Sequence, residues 1–314
     1  MAWGTATGGD VDTTGTDGYH YHVFETTADL TVVTAGDFEL LVVGGGGNGN
    51  PSSSHAPGGG GGGGVLTNIE NLAVGAHTAT VSTGVSSNSE LGTLLAYSGA
   101  TSAGSSTASG GGGLGSFSSD NGGTGGAQGN NGGNGQGSSR GDNRRGGGGG
   151  GAGTAGTDGG SVTGSGAGGD GIEVAQFADY GGSPAGWFGA GGGGHGGAGG
   201  GQGGGVAGAT TAPIAHTGAG GNGNRSGVTN LGAAGIVIVR WREPFIDVEA
   251  VLAPGIDMLT DVTIVPPLTN VLADLSLSIS VPTHVGVFTP RVIYARRSVI
   301  WTHDLDGTRN GAIP

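Results

Sequence analysis

Arg140, Arg144 and Arg145 place three of the ten positive charges of an acidic chain in one short stretch. Guanidinium groups bind phosphate and carboxylate through paired donors. The stretch therefore suits contact with acidic groups on a surface glycan; the alternative is a solvated tip paired with a nearby Asp. Arg140, Gly141 and Asp142 also spell a short adhesion-type tripeptide, a match that Gly/Asp/Arg loops make by chance. Trp187 and Phe188 follow Ser-Pro-Ala-Gly inside a glycine block. Exposed aromatic rings stack on sugars, whereas the same pair turned inward would plug a gap against a neighbouring glycine segment. Phe117 lies in a comparable interruption. His55, His195 and His216, in or beside glycine blocks, could line a sugar-binding rim or be exposed polar filler. His20 and His22 share one face of a strand and could ligate a metal, but no third ligand is identifiable, so no metal site is expected.

Nothing in the chain assembles a catalytic centre. A phosphate loop of the G-x-x-x-x-G-K-[ST] type is excluded because the chain has no lysine, and G-x-G-x-x-G matches carry no information at this glycine density. No Ser-His-Asp set and no paired carboxylates stand out. Asp304 and Asp306 give only a fragment of a calcium loop. The chain is expected to be non-enzymatic and to need no cofactor.

Glycine positions these residues. All but four of the 81 glycines lie within the first 241 residues, in runs such as Gly44–Gly47, Gly58–Gly64, Gly110–Gly113, Gly146–Gly151 and Gly191–Gly194. A glycine run buries no side chain and loses the most entropy on ordering, so a flexible linker is the plain expectation. Order requires packing by backbone alone. Left-handed extended helices of three residues per turn have no internal hydrogen bonds. When made of glycine they can lie side by side and bond one another directly, with weak Cα–H···O contacts added. The chain lacks the strict triplet period and the proline of collagen. Stacked polyglycine II helices, parallel and antiparallel, are the expected solution.

Short apolar segments return between the runs: Tyr19–Phe24, Leu30–Val33, Phe38–Val43, Val65–Leu72, Ala76–Val81, Leu91–Tyr97, Ile172–Tyr180 and Ile236–Trp241. Alternation and β-branched content mark them as strands. They predict a small all-β base from which glycine segments extend as long excursions. The excursions should turn or surface at Asn50–Pro57, Leu114–Asp120, Ser138–Arg145, Ser183–Phe188 and Thr210–Thr217. Residues 1–18 read as an N-terminal arm, 19–241 as the glycine-rich domain, and 242–314 as an all-β segment for attachment or oligomerisation. In that last segment Pro254, Pro266, Pro267, Pro282 and Pro290 punctuate alternating strands.

Net charge is −13 with no Lys and no Cys. Nucleic-acid binding through a basic face is not expected, and disulfides are excluded. No stretch approaches the length of a membrane-spanning helix, and the first residues do not read as a secretory signal.

The order YHYHVF, FELLVVGGGG, VLTNIENLAVGAHTATVSTG and GAAGIVIVRW resembles the glycine-rich domain of bacteriophage tail-fibre proteins and adhesins over about residues 17–241. Trp241 stands where that family usually has Tyr. The resemblance implies polyglycine II packing, a place in the virion, and receptor recognition at the interruptions of the glycine blocks. On it rests the expectation of a tail-fibre or tail-tip adhesin whose partners are other virion proteins and a bacterial cell-surface glycan or protein. Fibre proteins are commonly homotrimers, an assembly that the resemblance allows here and that no residue of the sequence demonstrates. The alternative is a capsid-attached fibre or decoration protein with no receptor role. A third class, ice-binding or cell-wall glycine-rich protein, should show a flat Thr or Ala array at three-residue pitch; the interruptions SSRGDNRR and SPAGWF are too irregular for that.

Overall fold

The computed structural model describes residues 2–242, except 16, 85–86, 117–118, 139–142, 161–163, 196–198 and 206–211, together with the backbone of 291–295 and 298–302. The first compact unit spans Met1–Pro244 and the second Phe245–Pro314.

The expected strands form, and they build an all-β base. A five-stranded antiparallel sheet has the order β2 (Val11–Thr14), β3 (His20–Phe24), β12 (Ile236–Trp241), β5 (Gly36–Val43) and β6 (Val65–Leu72). A second antiparallel sheet has the order β1 (Thr5–Gly8), β4 (Ala28–Thr34) and β7 (Gly75–Ala79). The stretch Leu91–Tyr97 is divided by a tight turn with Gly92 at φ +62°, giving the hairpin β8 (Ser89–Leu91) and β9 (Leu94–Ala96). Only the first two residues of Ile172–Tyr180 are extended. They form β10 (Ile172–Glu173), paired with β11 (Trp187–Phe188), and a 3₁₀ turn follows at Ala175–Phe177. In the second unit β13 (Arg291–Ala295) and β14 (Ser298–Thr302) make an antiparallel hairpin. The other strands expected after residue 242 lie outside the described residues. Residues 1–18, expected as an arm, supply a strand to each sheet of the base.

Period-two alternation sends β5 and β12 side chains to two different cores. Phe38, Leu40, Val42, Val237, Val239 and Trp241 pack with Leu30, Val32 and Phe24 between the sheets. Leu41, Val43, Ile236 and Ile238 pack on the opposite face with Tyr21, Phe177 and Phe188. Burial on both faces explains the apolar run Ile236–Val239, and all six residues of Ile236–Trp241, Arg240 included, are buried. An ionic clamp closes the second face. The Arg240 guanidinium donates to Glu39 Oε2 (2.8 Å), to the Gln176 carbonyl (2.6 Å) and to Tyr21 Oη (3.2 Å), and lies 4.2 Å from the Tyr19 ring centroid. Burial first, then its hydrogen bond to Asp17, pushes the Tyr21 phenol up to about 12.

The register aligns Val43 with Val65 and with Ile236. Three adjacent strands thus open into glycine segments at the same end of the sheet. Gly58–Gly64 becomes the axis of a lattice. Its N–H groups donate in turn to 147 and 150, to 218 and 221, and to 97 and 100 (Gly59, Gly62; Gly63, Gly60; Gly64, Gly61; 2.8–3.1 Å). Its carbonyls accept from Gly44, Gly47 and Asn50, from Ser109 and Gly112, and from Gly192. Six neighbours therefore surround one extended helix, and the repeat of three is the turn of polyglycine II. A Cβ placed on any of Gly58–Gly63 would fall under 3.0 Å from a neighbouring backbone carbonyl.

Gly60→Ala drives a methyl into the Gly47 carbonyl and should cost about 1–3 kcal/mol or more, seen as a drop of several degrees in the thermal unfolding midpoint. Gly199, with no atom within 4 Å of its would-be Cβ, should accept Ala with no measurable change.

Candidate functional site

Where the lattice ends, chains turn and backbone groups lose their lattice partners. The end away from the sheet gathers the turns at 50–57, 134–138, 143–146, 194–195 and 222–227. Pro51 bridges Asn224, Gln136 bridges Arg145, and Ala56 bridges Gly115. His195 N donates to the Pro57 carbonyl (2.8 Å). Arginine supplies the donors that the turns need. Arg144 donates from Nη1 to the Ser54 carbonyl (2.8 Å) and from Nε to the Ser138 carbonyl (3.2 Å). Arg225 Nε donates to the His55 carbonyl (3.1 Å), and Arg145 Nη1 to the Arg144 carbonyl (3.0 Å).

This brings His55, Arg144, Arg145 and His195 together, with Arg225 added. Arg144 is buried, 7% exposed, so it braces the turns rather than meeting a ligand. His55, Arg145, His195 and Arg225 are partly exposed. His55 Nδ1 lies 2.9 Å from Ser54 Oγ. Burial, then the positive charges of Arg225 and Arg145, hold the His195 imidazole below its ordinary range. Two guanidinium groups thus act on one ring at this end of an acidic chain.

The other expected site residues lie elsewhere. Phe188 is wholly buried in the second core, which removes it from any binding surface; it is the inward plug. Trp187 pairs with Glu173 and is half-buried where the lattice meets the sheet. His216, with a left-handed backbone (φ 56°), approaches Glu25 to 3.8 Å at that same junction. Phe117 and Arg140, and with Arg140 the RGD tripeptide, lie outside the described residues. His20 and His22 both stack on Trp241, at 5.6 and 4.8 Å between centroids, and His22 Nε2 lies 3.1 Å from the Ala6 carbonyl. Among the described residues no group of three His, Asp or Glu could hold a metal, and no helix is long and apolar enough to cross a membrane.

Sequence reasoning missed Arg225 and missed what the polar interruptions do. Side-chain oxygens close the outward N–H groups of the outermost glycine segments. Gly125 N and Gly122 N donate to Asn131 and Asn134 Oδ1 (2.9 and 3.0 Å). Asp170 N and Ala167 N donate to Thr154 and Thr157 Oγ1 (2.7 and 2.6 Å). Asp158 and Asp170 do the same for Asn134 and Gln202. The spacing of three within Asn131/Asn134 and Thr154/Thr157 was the signal in the sequence.

A family model described as a glycine-rich domain matches residues 25–242. No curated protein matches the chain.

Arg144→Ala should lower the unfolding midpoint by the equivalent of about 1–3 kcal/mol, since two turn carbonyls lose a donor. Arg145→Ala should lower it less. The depressed His195 favours the neutral ring in the folded state, so its contribution is present above the unfolded value near ~6.5 and is lost as pH falls below it. A pH series of unfolding midpoints should decline there, and His195→Gln should flatten the decline.

Proposed function

The chain belongs to this glycine-rich domain family, and we propose that it is a non-enzymatic structural protein of a phage particle, a tail-fibre or tail-tip adhesin. The observation that carries the reading is the distal end of the lattice. There Arg145, Arg225, His195 and His55 converge on turns held by a densely bonded scaffold. Preorganised turns lose little entropy on binding. A positive end on a chain of net charge −13 suits an acidic bacterial cell-surface glycan or protein and discourages non-specific contact elsewhere. The order of motifs from YHYHVF to GIVIVRW supports the virion setting by its resemblance to phage adhesins. Residues 242–314 are assigned to attachment or oligomerisation with other virion proteins.

Electron cryo-microscopy of the intact particle, with adsorption assays, tests this. The chain should occupy tail fibres or the tail tip with residues 50–57 and 143–145 pointing outward. Particles carrying Arg145→Ala with Arg225→Ala should assemble normally and adsorb at least ~10-fold more slowly, the loss of about 1.4 kcal/mol of charged contact. Copies studding the head, with adsorption unchanged, would sink the adhesin reading and leave a capsid decoration protein.

A further inference from the structure

A groove of about 260 Å³ opens on the flank of the lattice, between the ends of three glycine-rich segments. Asn48, Gly49, Asn50 and Pro51 form one wall, Thr101 and Ser102 the other, and Thr229 the rim. Backbone bonds set the walls. Ser102 N donates to the Asn48 carbonyl (3.1 Å), Asn224 N to the Asn50 carbonyl (3.2 Å), and Gly49 N to the Asn230 carbonyl (3.0 Å).

Asn48 Oδ1 accepts from Gly232 N (2.9 Å), and the Ser102 hydroxyl donates to the Gly112 carbonyl (2.8 Å). The Asn50 amide and the hydroxyls of Thr101 and Thr229 make no hydrogen bond to the described residues, and they line one groove. Each of the three can both donate and accept. No charged side chain lines the groove. Next to Thr229, Val228 and Leu231 are 62% and 64% exposed. Three residues apart in an extended segment, they face the same way.

We infer that this groove binds a neutral saccharide. Donor-acceptor side chains match ring hydroxyls, which also do both. The lack of charge in the lining removes any preference for acidic glycans. The groove adjoins the distal turns through Asn50 and Pro51 but has no charged side chain in its lining, and it rests on the adhesin reading only for the source of the sugar.

The test uses the purified full chain on an array of neutral and acidic glycans, including glucose, galactose, mannose and N-acetylglucosamine oligomers, followed by calorimetry on the best neutral ligand. Neutral glycans should bind. Asn50→Ala, Thr101→Val and Thr229→Val should each weaken that binding roughly five- to tenfold at an unchanged unfolding midpoint. Thr101→Ser and Thr229→Ser should restore it. Asp29→Asn, on the base, should leave it unchanged. Failure of every neutral glycan, or wild-type affinity in the groove variants, would overturn the inference, whatever the adsorption assay gives. Groove-dependent sugar binding by a chain that particles do not need for adsorption would instead uphold the groove and overturn the adhesin reading.

Discussion

Backbone-to-backbone contact is the constraint from which this structure follows. Around Gly58–Gly63 the six neighbouring segments lie so close that the place of a Cβ is already taken by a carbonyl oxygen. Glycine is required there because of volume, not because of an unusual φ. The closeness lets the N–H groups of Gly59–Gly64 and most carbonyls of the axis bond to surrounding segments, stepping from one neighbour to the next along the helix. A segment with no side chains, which would otherwise remain a linker, becomes a densely bonded element. Its entropy cost is high, and no apolar side chain in the segment offsets it.

The offset comes from the base. Val43, Val65 and Ile236 stand in register at one end of the sheet, so the first glycines of three segments begin already aligned. The two apolar cores fix that register, because a slip of one residue would exchange the faces of β5 and β12. Arg240 reinforces it. Its guanidinium ties Glu39 on β5 to Tyr21 on β3 and to the Gln176 carbonyl beyond the sheet. Phe177 and Phe188 come from a segment inserted between two glycine blocks and return to the same core. The lattice is therefore pinned to the base both at its strand junctions and in the middle of the chain.

The strands of the base from β3 onward were largely legible in the sequence, because alternation and β-branched runs report burial directly; β1 and β2, short and polar with little buried surface, were not. The polyglycine II packing was legible as a principle from the runs themselves. Which segment pairs with which was not, since every glycine run resembles every other and the pairing depends on where each excursion turns. Of the site, the turns at Asn50–Pro57 and Ser138–Arg145 were legible as interruptions, and they do meet at one end. Arg225 escaped notice because it is a single charge inside Asn-Gly-Asn-Arg-Ser-Gly. The direction of Phe188, surface or inward plug, stayed open for the opposite reason. An aromatic residue in a glycine block has no local pattern to show its direction, and only the second core, assembled from distant strands, turns it inward.

The polar rim bears on what the molecule can do. An outermost polyglycine helix presents a row of unpaired N–H groups, which is the same liability as an open sheet edge. Another chain could add there and the lattice could grow without limit. Asn131, Asn134, Thr154, Thr157, Asp158 and Asp170 fill those donors with oxygens from the same chain. Sideways growth is thereby discouraged, and the flanks carry few unsatisfied groups. On the proposed reading, recognition falls to the arginine-bearing turns at the distal end and to the groove lined by Asn50, Thr101 and Thr229. The same chemistry that keeps the lattice finite thus determines where a partner can bind.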